Sequence, residues 1–289
     1  MRARFANGTS TPCVAASRGV VAIVIVIVSS GPFKFFIGPD ATEFMIHSAL
    51  VAHQSEALNV LVNGAWKEGT EQCATWKDLY EETFLRFSQF AYTGRYDGAE
   101  PQKRKAEEHT TVPDNAEEID PWATPSLTKK KSKKIVHPSS PVFDMSKKDL
   151  LWNKFSSLYP RPQTRTTISS NAPDDDYTDV FLSHARMYVF VDYHGIANLQ
   201  SLALHELREA LSQYTLYEQG TSDIIPLLEY CFSNTAEQGV HRDPLRNLVC
   251  IYTACKMEEL WNDDKFQELM DTLSEFPRAL FAELQYRLD

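Results

Sequence analysis

Apolar residues in the first hundred positions follow two periods, one typical of strands and one typical of helices. Residues 33–37 and 43–47 are short apolar runs on either side of a Gly-Pro-Asp turn. This arrangement predicts a β-hairpin, because turn residues between two such runs reverse the chain. Residues 72–76 form a third short run. The pattern therefore indicates a small sheet.

Helices are predicted around this sheet wherever apolar residues recur three and four positions apart. Ser48 and Ser55 are placed to cap the first two helices, since a serine oxygen can accept a bond from a free backbone N–H. Gly64 ends the second helix, and Gly94 ends a longer one at residues 81–93. The first hundred residues thus combine strands and helices in one small unit.

The apolar pattern stops in residues 97–177, where prolines, serines, threonines and runs of charge replace it. Such a composition buries too little apolar surface to fold alone, so it predicts a disordered insert. An exception is a stretch in which Ser146 precedes leucines and aromatics at helical spacing. It predicts a short helix near residues 147–158 that docks back on the protein. A partner-binding helix is the alternative.

Helical periodicity returns after the insert. A helix at residues 180–193, a turn at Gly195 and a second helix capped by Asn198 predict a helical hairpin. Three further helical stretches follow, and Pro277 kinks or restarts the last one. They are predicted to pack on the hairpin through Leu227, Leu228, Leu248, Ile251 and Leu260.

The chain is accordingly predicted to have five segments, which are a tail, a first folded part, the insert, a second folded part and a helical extension. The fold class is α+β, a small sheet with surrounding helices. The predicted boundaries are 1–30, 31–96, 97–177, 178–217 and 218–289.

The tail contains nine consecutive apolar residues at 20–28, eight of them β-branched. This run is too short to span a bilayer as a helix. It predicts an added β-strand, because β-branched side chains pack well in sheets. Two alternatives remain open, a non-native start and the hydrophobic part of a signal peptide, since Arg2, Arg4 and Arg18 precede the run.

Charge is distributed unevenly along the chain, whose net charge is −10. Residues 177–289 contain 18 acidic and 8 basic residues, so this part alone accounts for −10. Nucleic-acid binding is not expected, because phosphate contacts need a basic surface. The five cysteines form no CxxC pair, which favours free thiols in a reducing compartment, cytoplasmic, nuclear or both.

No sequence motif of a catalytic or cofactor site is present. The chain lacks GxGxxG, GxxxxGK[ST], HExxH and GxSxG patterns. The nearest usable histidine pair, His47 and His53, lies six residues apart, which is no same-face ligand spacing. The acidic run at residues 174–176 is predicted to be the solvated end of the insert, with weak cation binding as the alternative. We expect no enzyme activity, metal or cofactor.

Several short motifs, taken together, resemble the BTB/POZ family, and their wording is closest to BTB-domain proteins of filamentous fungi. The order of two strands, a helix pair, a short strand, a helix and a helical hairpin looks like the BTB fold. The matching motifs are Phe44-Met45-Ile46-His47-Ser48-Ala49-Leu50, Phe90-Ala91-Tyr92-Thr93-Gly94, Ser183-His184-Ala185-Arg186-Met187-Tyr188 and Asp192-Tyr193-His194-Gly195-Ile196. They cover about a third of the chain.

This resemblance implies a protein-interaction scaffold with a structural signature rather than a catalytic centre. The signature residues are His47, Tyr92, Gly94, His184 and Asp192. His47 lies where a strand meets a helix, and its imidazole is expected to bond backbone groups and hold that turn.

The same resemblance implies protein partners, among them a cullin, and a homodimer as one oligomeric state. Many BTB proteins resemble substrate adaptors of cullin-type ubiquitin ligases, in which a hydrophobic-x-Glu element follows the second helix. Trp66 and Glu68 stand at the matching place here. An exposed tryptophan is a typical interface anchor. The alternative is that Trp66 covers the edge of the core and Glu68 is solvated.

Two other functions stay open from the sequence. The lysine run at residues 129–134 favours a nuclear regulatory protein that self-associates through its BTB domain, with the lysines as import signal. The apolar run in the tail favours a secreted or membrane-associated protein if it is a signal segment. We expect no membrane association otherwise.

Overall fold

A computed structural model describes residues 25–104, 146–160, 171–237 and 242–288 of the chain. Within these residues the protein is a mixed α+β structure with a small sheet, as the sequence predicted. The core is continuous from the sheet to the last helix.

The sheet has three strands in the order β2-β1-β3, with β1 in the centre. Strand β1 (Pro32–Ile37) pairs antiparallel with β2 (Thr42–His47) and parallel with β3 (Cys73–Trp76). Alternate side chains of β1 point into the core, so Phe33 and Phe35 are fully buried. The hairpin turn contains Gly38 in a left-handed conformation, which glycine adopts without steric cost.

Four helices accompany the sheet, and only some of their predicted caps are formed. Ser55 accepts a bond from the N–H of Leu58, as predicted, whereas Ser48 does not cap the first helix. That helix begins one residue earlier, at Ser48 itself, and the Ser30 hydroxyl accepts the bond from the Ala49 N–H. The helices are α1 (Ser48–Ala52), α2 (Glu56–Asn63), α3 (Lys67–Glu71) and α4 (Glu81–Thr93).

Part of the predicted insert is folded, which corrects the expectation of disorder for residues 97–104 and 171–177. Strand β4 (Gln102–Lys103) pairs antiparallel with β5 (Asp175–Asp176). Helix α5 (Lys147–Ser156) forms with Ser146 as its cap. Its Leu151 and Phe155 are buried against the C-terminal helices. The predicted docking of this helix is therefore confirmed.

The helical hairpin after the insert consists of α6 (Thr178–His194) and α7 (Ala197–Gln213). Gly195 adopts the left-handed conformation that ends α6. Asn198 was predicted to cap α7, but the helix already begins at Ala197 and no side chain caps it. A single turn of 3₁₀-helix (Glu218–Gly220) leads to the extension.

The described residues of the C-terminal extension form five α-helices, and the five residues predicted to pack inward are buried. The predicted helix at 243–261 is divided at Lys256. A new helix begins two residues before Pro277, in whose first turn proline is tolerated. The helices are α8 (Thr221–Asn234), α9 (Pro244–Cys255), α10 (Met257–Leu260), α11 (Asp264–Thr272) and α12 (Glu275–Leu288).

The described end of the tail is helical, which corrects the prediction of a strand there. Residues 25–29 form helix, while the rest of the apolar run lies outside the described residues. Ile27 packs against the core, and Ile25, Val26 and Val28 are exposed. Within the described residues, no helix combines the length and apolar character that crossing a bilayer requires.

Candidate interaction surface

The side chain of Trp66 stands free of the core at the junction of α2 and α3, with 71% of its surface exposed. Its backbone, in contrast, is fixed. The Trp66 carbonyl oxygen accepts bonds from both the N–H and the hydroxyl of Thr70, each 3.0 Å long. The indole therefore projects from a rigid turn, so the alternative that it covers the core edge is wrong.

Two glycines allow the backbone segments of this turn to approach each other closely. A Cβ at Gly69 would collide with the carbonyl oxygen of Gly64, and a Cβ at Gly64 would collide with that of Val60. The indole Cδ1 lies 3.3 Å from where the Gly64 Cβ would be. The chain thus places Trp66 over the C-terminal end of α2 through close backbone contacts that only glycine allows.

Glu68 lies two residues further, in the first turn of α3, and is half-exposed. Among the described residues no side chain or backbone group pairs with its carboxylate. Val60 on α2 is exposed as well. We refer to Val60, Trp66 and Glu68 as the Trp66 surface. It combines apolar area with an unpaired carboxylate, an arrangement suited to a protein partner.

Two of the signature residues contact each other. The Nδ1 atom of His47 lies 2.8 Å from the hydroxyl oxygen of Tyr92, and the two rings meet edge to face. The imidazole was predicted to bond backbone groups, and the structure corrects this, since its partner is a side chain 45 residues away. The contact ties the end of β2 to the end of α4, where Gly94 is left-handed.

His184 lies inside the protein between α6 and the segment after α4. Its Nδ1 atom is 2.8 Å from the Tyr96 hydroxyl oxygen, and burial lowers its pKa to about 3. Any side chain at Gly98 would meet the ring at 2.8 Å. The backbone N–H of Ala99 donates to Ser183. His184 therefore holds the beginning of the predicted insert against the helical hairpin.

Asp192 is exposed near the end of α6 and joins the two helices of the hairpin. It accepts a 2.7 Å bond from the Gln200 side chain on α7. Partial desolvation and the nearby charge of Asp243 raise its pKa. The structure thus places four of the five signature residues in contacts between elements, while Gly94 ends a helix.

A buried ion pair that the sequence did not reveal joins Arg104 to Asp223. The guanidinium Nη2 donates to both carboxylate oxygens at 2.7 Å, and Asp223 is fully enclosed. The Tyr214 hydroxyl and the Tyr177 N–H also donate to this carboxylate. Arg104 lies among charged residues in a segment read as disordered, so no local pattern distinguishes it.

A second apolar surface, also missed, is an open groove of about 590 Å³ between α10 and α12. Trp261 and Phe281 line it and are 48% and 56% exposed. The ion pair of Glu258 with Arg287 closes one side. In the sequence, Trp261 marked only the predicted end of a helix.

Ionisable groups do not gather into a metal-binding cluster in the part of the chain that the structure describes. The acidic run at 174–176 is partly neutralised by Lys103, whose Nζ lies 2.9 Å from Asp174 and 2.7 Å from Asp175. Burial raises the pKa of the Cys250 and Cys255 thiols to about 12. Both thiols are therefore protonated and unreactive at neutral pH.

Comparison with known proteins returns no match, whether against family models, curated proteins or solved structures. The BTB/POZ assignment therefore stays a prediction. It depends on the sequence motifs and on the geometry described above.

Proposed function

We propose that this protein is a protein-interaction module of the BTB/POZ type and serves as a substrate adaptor for a cullin-type ubiquitin ligase. The observation that carries the proposal is the Trp66 surface, in which an exposed indole is held on a rigid turn. Rigid presentation matters, because ordering a mobile side chain on binding reduces affinity.

The arrangement of elements also supports the proposal. A hairpin and a parallel third strand carry α1 to α4, and α6 and α7 complete the body after the insert. In this arrangement the hydrophobic-x-Glu element falls on an exposed turn. The signature residues fall on contacts that hold the elements together, which agrees with their expected structural role.

The test is the binding of a purified cullin N-terminal domain to the full chain by isothermal calorimetry. Trp66→Ala combined with Glu68→Ala should weaken binding by about thirty-fold or more, since an interface tryptophan contributes about 2 kcal/mol or more. The free energy of unfolding should change by less than about 0.5 kcal/mol, because both side chains are on the surface.

Trp261→Ala is the matched control, since it removes another exposed tryptophan from a different surface. It should leave cullin binding unchanged. Equal binding by the unaltered chain and the double variant, or no binding by either, would contradict the adaptor proposal.

A further inference from the structure

Buried and half-buried arginines in the described residues are ion-paired with one exception. Seven arginines are in this class, and six have a carboxylate within ion-pair distance. The exception is Arg186 on α6. The six pairs are Arg86–Glu82, Arg104–Asp223, Arg208–Glu209, Arg242–Glu283, Arg246–Glu275 and Arg287–Glu258.

An aromatic ring packs against the Arg186 guanidinium. Its central carbon lies 4.2 Å from the ring centre of Tyr80, which is 53% exposed. Its Nε is buried and has no acceptor. Tyr230 on α8 is close enough for the Arg186 charge to act on its hydroxyl, whose pKa burial raises to about 12. The Arg186 cation thus lies on α6, near the beginning of α4 and near α8.

Arg186 lacks the carboxylate partner that the other six arginines have. A guanidinium taken partly out of water is destabilised unless a carboxylate or other acceptor receives its N–H groups. Stacking on a tyrosine offsets a fraction of that cost and fixes the plane of the fork. The fixed fork is complementary to a carboxylate, which can accept two parallel bonds from it.

We propose that Arg186 is a binding site for an acidic side chain of a partner protein, with the Tyr80 ring as its aromatic wall. Arginine and tyrosine are the residues that most often dominate the energy of protein interfaces. This site lies on different elements from the Trp66 surface and does not depend on the BTB assignment. It provides the protein with a second recognition surface of defined chemistry.

The direct test follows the side-chain Nε resonance of Arg186 by NMR in the full chain with ¹⁵N-labelled arginine. The resonance is assigned by its loss in Arg186→Gln. Titration with N-acetyl-Glu-Glu-amide should give a saturable shift. N-acetyl-Gln-Gln-amide should require at least about ten-fold higher concentration, because charge-assisted bonds are the stronger ones. Absence of a saturable shift with the glutamate peptide would overturn the proposal.

Inorganic phosphate is the second arm of this titration. If phosphate shifts the resonance at lower concentration than the glutamate peptide does, the site is a phosphate site and the carboxylate assignment is wrong. The exposed Arg278 is an internal control. An equal response of Arg278 to the glutamate peptide would mean non-specific attraction and would also overturn the proposal.

Thermal unfolding separates a binding role from a structural one. Arg186→Gln should have a Tm equal to or above that of the unaltered chain, since no internal bond is lost. Arg246→Gln should lower the Tm, because Arg246 donates to Phe232 and Thr235 and pairs with Glu275. If both variants lower the Tm equally, Arg186 is a structural residue and the proposal fails.

Discussion

The sheet and α4 contact α6 through aromatic rings. The segment after α4, in contrast, contacts α6 and α8 through buried polar groups. On the aromatic side, Phe190 of α6 packs against Trp76 at 5.6 Å and against Phe87 at 5.3 Å between ring centres. On the polar side, His184 meets Tyr96 and Arg104 meets Asp223. Both sets of contacts join residues before position 105 to residues after position 170.

Distant parts of this chain are thus joined in two ways. Apolar contact is non-directional and grows with buried area, so the aromatic side supplies stability and accepts some change of shape. Buried polar groups need a partner with the correct geometry, and leaving one unpaired is costly. The polar side therefore specifies where the insert leaves and rejoins the folded body.

The largest effect is expected from removing a ring on the aromatic side. Phe87→Ala should lower the free energy of unfolding by about 3–5 kcal/mol, because Phe87 is fully buried and the cavity would open between α4 and α6. Urea unfolding measures this. Leu85→Ala on the same helix is the control, since Leu85 is 51% exposed and should cost much less. Equal losses would show that the core does not lie where the structure has it.

A smaller effect is expected on the polar side. Asp223→Ala should lower the free energy of unfolding by about 3 kcal/mol, because it removes the carboxylate that neutralises the Arg104 guanidinium and accepts a bond from the Tyr214 hydroxyl. Arg104→Met should cost a similar amount, since it leaves the fully buried Asp223 carboxylate without its counter-charge. The double variant should be less destabilised than the sum of the two. Additive losses in urea unfolding would argue against the pair.

The smallest effect, taken per pH unit, is a dependence of stability on pH that involves one histidine on each side. Burial lowers the pKa of His184 to about 3 and that of His194 to about 4. An unfolded histidine titrates near 6.5, so below that pH the unfolded chain binds protons that the folded chain does not. The stability is therefore complete above about pH 6.5 and decreases towards pH 4.

Each fully neutral histidine contributes at most about 1.4 kcal/mol per pH unit in that window. His194, which is less buried and packs against Trp76 and Phe190, contributes the smaller part. Urea unfolding from pH 7 to 4.5 measures the slope, and His194→Phe should reduce it without abolishing it. A stability that stays constant over this range would contradict the burial of both rings.

Elements with a strong local pattern could be predicted from the sequence. Helix α4 has the predicted bounds, since its apolar residues recur at helical spacing and Gly94 follows them. Ser55 and Ser146 cap the helices that they were predicted to cap. Residues 25–29 were misread because β-branched residues favour strands, and the packing of Ile27 as part of a helix overrides that preference.

The candidate surfaces were predicted only where one short motif carries them. Trp66 and Glu68 were found because they match the hydrophobic-x-Glu element that the BTB resemblance implies after the second helix. The Arg186 site was not predicted, although Arg186 is part of one of the motifs that resemble the BTB family. Its character depends on what is missing around the guanidinium, and no local pattern records an absent carboxylate.

By itself, the sequence determined the α+β class, the positions of most helices and the apolar face of each. Those follow from a periodicity that is complete within ten to twenty residues. Only the tertiary structure decided that Tyr92 is the partner of His47, that Arg104 reaches Asp223, and that residues 97–104 are folded. Such contacts join residues 45 to 119 positions apart. They form only when tertiary folding brings distant segments together, and no periodic pattern in the sequence marks them.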